Sequence, residues 1–251
     1  MRNTQAMLSE PRTILVTGGT SGIGLELVRL LHGLGHRLVV VARSPQRLQQ
    51  LQAELPTVDA HACDLAGRAA VERMWEQVGQ RHPGLSIVVN NAAVQSTARF
   101  VDEDFDLERI GYETAVNFLA PAWLSALAIG LFQADNRASA IVNISSGLAY
   151  HPKRDAAVYC ATKAALHSLS QGLRYQLEGT RTRVIEAILP VVDTPMTAGR
   201  GRGKISARQA AAGIVQGMAR GRAQVHVGKA RWLPLLERLS PAIPRAILRH
   251  G

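Results

Sequence analysis

Cysteine is almost missing: Cys63 and Cys160 are the only two among 251 residues. Two thiols make neither a disulfide framework nor a thiolate cluster. The eight histidines, His151 and His167 among them, show no ligand spacing, so no metal site is expected. Aromatic residues make up only 4% of the chain and no nucleic-acid recognition motif occurs, so a nucleic-acid partner is not expected either. No apolar run is long enough to cross a bilayer comfortably. The most apolar stretch, Phe118 to Phe132, is interrupted by Pro121 and Ser125 and reads as a buried helix, so no membrane span is predicted. Met1 to Arg12 has no apolar run and reads as a flexible tail, which together with the low cysteine content predicts a cytoplasmic location.

Acidic residues are scarce at one end. From Val191 onward only Asp193 and Glu237 oppose eleven lysines and arginines, so that quarter carries +9 of the net +10. Such a field attracts anions: nucleic acid, an anionic membrane or an anionic substrate. A solvated arginine-rich face is the plainer alternative.

What remains is a chain with 47% apolar and 19% charged residues, sufficient for one large core from residue 13 to 251. Short β-branched runs alternate with helical periodicity throughout. Strands are predicted at Thr13–Thr17, Leu38–Ala42, Val58–Cys63, Leu85–Val89, Ala140–Ser145, Val184–Leu189 and Val225–Val227. Between them fall helices at Ile23–Leu34, after Ser44-Pro45, and at Arg68–Arg81, Leu107–Phe132, Val158–Leu177 and Ser206–Met218. This alternation predicts a doubly wound α/β fold with a parallel sheet. The one flexible stretch, Gly199 to Lys204, follows a strand's carboxyl end, the edge where such sheets bind ligands. A substrate loop is therefore expected at about residues 191–206, with Arg200, Arg202 and Lys204 favouring an anionic substrate.

Two motifs carry chemistry. Gly18, Gly22 and Gly24 close the first strand and open the first helix. A glycine turn there lets a pyrophosphate approach bare backbone and the helix N-terminus. At the end of the second strand Arg43 stands where an acid would accept a ribose 2′-hydroxyl. Its donor fork suits a 2′-phosphate, so NADP(H) is favoured, with NAD(H) as the alternative. Asp64, closing the third strand, either accepts from an adenine amino group or caps the next turn. Farther on, Tyr159 and Lys163 share a helix face at a spacing of four. An ammonium and a cationic ring beside a phenol lower its pKa. Ser146 closes the preceding strand, placed to polarise a carbonyl, and Asn117 lies in the long helix, where an amide can hold a relay water.

Those motifs, with Asn90-Asn91-Ala92-Ala93 and Pro190 to Thr194, make the chain resemble the short-chain dehydrogenase/reductase superfamily, and within it the DltE-like subgroup. The resemblance implies a single-domain, seven-stranded Rossmann fold and an oxidoreductase acting on a small-molecule carbonyl or alcohol. It implies a catalytic set of Asn117, Ser146, Tyr159 and Lys163, with Tyr159 as general acid/base. Cofactor contacts are implied at Gly18, Thr20, Ser21, Gly22, Ile23, Gly24, Arg43, Asp64, Leu65, Asn91, Ala92, Pro190 and Thr194, with Tyr159 and Lys163 on the nicotinamide side. It also implies a homodimer or homotetramer through the two long helices. Two positions depart from the family's pattern: Ala93 stands for the usual glycine, and Val191 follows Pro190 where glycine is usual. A catalytically silent nucleotide sensor of the same fold is the remaining alternative.

Overall fold

The computed structural model describes residues 7–97, 99–103 and 105–249. In chain order the elements are β1 (Thr13–Thr17), α1 (Gly22–Gly33), β2 (Arg37–Ala42), α2 (Pro45–Glu54), β3 (Asp59–Ala62), α3 (Arg68–Arg81) and β4 (Leu85–Asn90). Then follow α4 (Glu108–Thr114), a π-helical turn (Ala115–Leu119), α5 (Ala120–Ala134), β5 (Ser139–Ser146), α6 (Ala157–Gln176) and β6 (Thr182–Leu189). The chain ends with β7 (Val192–Asp193), β8 (Ile205–Ser206), α7 (Ala207–Ala219), β9 (Gln224–His226), α8 (Leu233–Leu239) and α9 (Ala242–Arg249).

Seven strands form one parallel sheet in the order β3-β2-β1-β4-β5-β6-β9, as the alternating pattern predicted. The near-continuous apolar runs are those of strands covered on both faces. Alternation sorts them. Ile14, Val16 and Val40 point to one face, against Leu27 and Leu31 of α1 and Ile214 of α7. Leu15, Val39 and Val41 point to the other, against Val71 and Met74 of α3 and Leu124 and Phe132 of α5. Burying each such side chain is worth about 1.5–3 kcal/mol, so the sheet is held from both sides. Met7 and Leu8 pack against the first of these layers, while residues 1–6 of the expected tail lie outside the described residues.

Three features refine the sequence reading. The long helix expected from Leu107 has a π-turn in its middle. Pro121 lacks the N–H that would close an α-turn on the Asn117 carbonyl, which is a local reason for the irregularity. By length and composition the run Glu108–Ala134 would cross a membrane, but Leu124, Ala128 and Phe132 bury it against the sheet. Next, β7 and β8 pair as a two-stranded ribbon around the glycine-rich loop. The last is α8 and α9, which the sequence pattern did not indicate.

A polar ladder crosses the core toward the site. Asn90 Nδ2 donates to Asn143 Oδ1 at 2.8 Å, Asn143 Nδ2 to Ser170 Oγ at 2.9 Å, and Ser170 Oγ to the Leu166 carbonyl. It pins α6 to β5 and β4, so the helix carrying Tyr159 and Lys163 has one registration on the sheet.

Candidate active site

The carboxyl ends of β1, β4, β5 and β6 converge on the candidate site. At β1, the Thr17 hydroxyl accepts the N–H groups of Asn91 and Ala92 at 3.0 Å each and donates to the Val89 carbonyl at 3.3 Å. Asn91 Nδ2 donates to the Thr17 carbonyl at 2.8 Å and the Gly18 carbonyl at 3.3 Å. Asn91 thus splints the glycine turn to β4, a structural task on the nucleotide side.

The turn has no room for side chains. Gly18 and Gly22 have φ of +67° and +53°, the left-handed region that glycine enters without penalty. A Cβ on Gly24 would stand 2.2 Å from the Gly18 carbonyl oxygen, so this glycine serves the turn itself as well as the packing of helix on strand. Gly19, which the sequence reading did not single out, has a similar demand: its Cβ would meet Val40 Cγ1 at 2.7 Å. The motif contained it, but the packing partner on β2 lies twenty-one residues away. At the α1 N-terminus the Ser21 side chain caps nothing and the first turn holds no acid, so its N–H groups remain available to an anion. Thr194 reaches this turn from the far side, its Cγ2 only 3.1 Å from a Cβ placed on Gly22. The cradle fits a pyrophosphate: bare backbone, a helix N-terminus and no acid in the first turn of α1.

Arg43 is exposed just past β2, its guanidinium 5.7 Å from the centre of the Tyr112 ring and hydrogen-bonded to the Tyr112 hydroxyl. Tyr112 was missed because α4 lies far from β2 in sequence. Asp64 Oδ1 accepts from the Ala66 N–H at 3.1 Å, so one carboxylate oxygen caps the turn, while Leu65 beside it is buried in the core.

The residues expected to move a proton lie near one another. Tyr159 and Lys163 lie one turn apart on α6, with Lys163 Nζ 5.6 Å from the Tyr159 ring centre. The ammonium donates to the Ile144 carbonyl at 2.8 Å. Ser146 ends β5, and its oxygen accepts from the Leu148 N–H at 3.1 Å, which leaves the hydroxyl proton free to point elsewhere. Asn117 is fully buried, with Oδ1 accepting from Val94 N and Nδ2 donating to Val94 O, each at 2.8 Å. Its second amide N–H faces Thr162 Oγ1 at 3.3 Å. The amide is therefore a clamp on the loop after β4, not a free water ligand.

Electrostatics of the chain's own residues run against a reactive phenol. Burial pushes Tyr159 above its ordinary value, and the charges of Cys160 and Glu113 add to that, while Arg200 pulls it down. Burial also lowers Lys163 to about 8, with Glu186 and Glu113 opposing. Both shifts are desolvation, which disfavours whichever form is charged. Glu113, another residue the sequence reading passed over, is the buried acid of α4. It is buried, accepts from Ser96 N at 3.4 Å through Oε2, and is raised above the ordinary carboxylate value by burial. Its Oε1 has no partner among the described residues.

The cations expected to greet an anionic substrate divide. Lys204 is committed to the Thr197 carbonyl at 2.6 Å and to Asp193 at 3.3 Å. Arg202 is exposed. Arg200 bonds the Met196 carbonyl, but its Nη1 is buried without a partner among the described residues. Val191, which departs from the family pattern, packs against Gly201, where a Cβ would meet its Cγ2 at 2.8 Å.

A parallel seven-stranded sheet with a glycine cradle and a Tyr–Lys pair at its carboxyl edge defines a nucleotide-dependent oxidoreductase. The family model for short chain dehydrogenases matches residues 12–204. An uncharacterized oxidoreductase of Bacillus subtilis, DltE, is 43% identical over 182 residues, 72% of each chain. An L-xylulose reductase of Bos taurus is 33% identical over 185 residues, 74% of this chain and 73% of that one. Among solved structures, a Sphingobium yanoikuyae short-chain dehydrogenase in complex with NADPH superposes with a TM-score of 0.81 at 27% identity, covering 92% of this chain and 95% of that chain. This chain belongs to the short-chain dehydrogenase/reductase family, with the DltE-like members, and is an NAD(P)-dependent dehydrogenase/reductase.

Proposed function

We propose that the protein transfers a hydride between NADP(H) and a small carbonyl/alcohol pair, with Tyr159 moving the accompanying proton. The observation that carries this reading is that the Gly18–Gly24 cradle and the Ser146–Tyr159–Lys163 set share the carboxyl edge of one sheet, with Thr194 packed against Gly22 of the cradle. The dinucleotide, when bound, supplies or accepts the hydride. Its phosphates fit the α1 N-terminus, and Arg43 is the cation positioned to take a 2′-phosphate. The NADPH held by the Sphingobium yanoikuyae relative supports that choice.

The chain's own residues do the rest. Ser146 donates its free hydroxyl proton to the substrate oxygen. Tyr159 holds the transferable proton at Oη, giving it up in reduction and taking it in oxidation. Lys163 offsets the phenolate charge that burial alone would forbid, and a cationic ring nearby adds to this. Asn117 keeps the loop after β4 against α6 by its two bonds to Val94.

Oligomerisation through α4 and α6 belongs to the same reading. A groove of about 480 Å³ between them is lined by Phe100, Ile110, Thr114, Phe118, Val158 and Ala165, and large apolar side chains at Phe100 and Leu107 stand exposed beside it.

A panel of carbonyl compounds followed by NADPH absorbance tests the reading. On any compound turned over, Tyr159→Phe is expected to cut kcat by about 10²–10⁴-fold with NADPH affinity retained. Undiminished turnover would remove Tyr159 from the proton transfer, whereas NADPH binding with no compound turned over would assign the chain to a silent nucleotide sensor instead.

A further inference from the structure

The segment from Lys229 to Arg249 leaves large apolar side chains facing solvent. Trp232, Leu235 and Leu239 follow one another at three and four residues, so they form one outward row on and just before α8. Ile243 and Ile247 continue it on α9, one turn apart. All five are between 42% and 70% exposed. The row is not a frayed end. Leu233 and Leu248 turn inward and stand 3.8 and 4.0 Å from a Cβ placed on Gly147, the residue after Ser146. Arg154 N donates to the Arg249 carbonyl at 3.1 Å, and Glu237 is bonded to His151. The apolar row is thus fixed beside the mouth of the candidate active site.

Its charge selects the occupant. Lys229, Arg231, Arg238, Arg245 and Arg249, all exposed, belong to the same segment, and Glu237 is its sole acid. The Arg231 guanidinium lies 5.2 Å from the Trp232 ring centre, a basic and an aromatic group presented together. A second copy of this chain would bring like charges face to face across a two-fold axis. A surface of opposite charge with an apolar layer beneath it complements both halves of the pattern, and an anionic bilayer is such a surface.

We propose that α8 and α9 form a peripheral docking face for anionic phospholipid membranes, which presents the substrate cleft to the bilayer. The apolar row sinks to the acyl boundary while the arginines stay among the headgroups.

The test is flotation of the full chain with vesicles of phosphatidylcholine alone or mixed equally with phosphatidylglycerol, with light scattering of the free protein. The expected result is binding to the anionic vesicles that weakens with salt, and little binding to the neutral ones. Leu239→Glu with Ile247→Glu should abolish it. Arg238→Glu with Arg245→Glu, which reverses two charges and leaves the apolar row intact, should lower it by at least about tenfold. Thermal melts establish that each pair folds, and either pair alone suffices. The proposal is overturned by no binding to anionic vesicles, by equal binding to neutral ones, or by binding that both folded variants retain. A change in oligomer mass without vesicle binding would assign the face to a second copy, and binding to DNA alone would assign it to nucleic acid; both overturn it.

Discussion

Lys163 stands 5.6 Å from the Tyr159 ring centre while donating a 2.8 Å hydrogen bond to the Ile144 carbonyl. One ammonium therefore lies between a backbone acceptor in the core and the phenol that the proposed reaction asks it to acidify. Burial makes the position expensive for a charge, and the lysine is held down at about 8.

That shift has a stability consequence of definite sign. Between about 8 and the ordinary lysine value near ~10.4 the unfolded chain binds the proton and the folded one does not. Wild-type stability thus gains with rising pH across that window, by roughly 1–3 kcal/mol. Lys163→Met lacks this gain. Melting curves of the two proteins should favour the variant most near neutrality and lose that advantage toward pH ~10. An advantage that does not shrink with pH contradicts the assignment. Reduction should also need the protonated lysine, so kcat/KM for NADPH should fall above about 8.

Glu113 gives the opposite slope. Its folded value is raised by burial, so between its unfolded and folded values the folded state holds the extra proton and stability falls as pH rises. Glu113→Gln keeps an acceptor for the Ser96 N–H and removes the buried charge. The variant is expected to gain on the wild type from acidic to neutral pH, measured by chemical denaturation. Parallel curves would refute the buried, proton-retaining carboxyl.

Arg43 is expected to read the 2′-phosphate. Arg43→Ala should raise KM for NADPH by about tenfold or more, the usual scale for losing a charge-assisted bond, and leave KM for NADH nearly unchanged. Equal losses on both cofactors would mean that the guanidinium merely packs on Tyr112.

Two glycine substitutions separate cradle from scaffold. Gly24→Ala forces a methyl to 2.2 Å from the Gly18 carbonyl oxygen and 2.5 Å from Asn91 Nδ2, so it should cost about 1–3 kcal/mol and most NADPH binding. Gly130→Ala, mid-helix in α5 with nothing within 4 Å, should stabilise by about 0.5–1 kcal/mol. If calorimetry shows the two behaving alike, the turn is not the constrained cradle described.

The order of elements, the parallel sheet and the pairing of Tyr159 with Lys163 were legible in the residues, because each depends on short-range periodicity. Apolar runs of five or six residues mark strands buried on both faces, and a spacing of four fixes a shared helix face. The glycine turn was legible for the same reason, since left-handed φ at Gly18 and Gly22 is a local demand. Partners distant in the chain were not. Tyr112 beside Arg43, Val40 beneath Gly19, and Thr194 over Gly22 are juxtapositions that only the crossovers create. The same holds for Asn117: its residue type promised a free amide, but the fold spends both amide N–H groups on holding Val94 and Thr162. Sequence also carried the sum of charge at the C-terminal end but not its arrangement. Whether those cations stand exposed beside apolar side chains is decided by which side of α8 and α9 packs inward, and that depends on Gly147 leaving room for Leu233 and Leu248. Local chemistry is written residue by residue, whereas proximity across the sheet is a property of the closed chain.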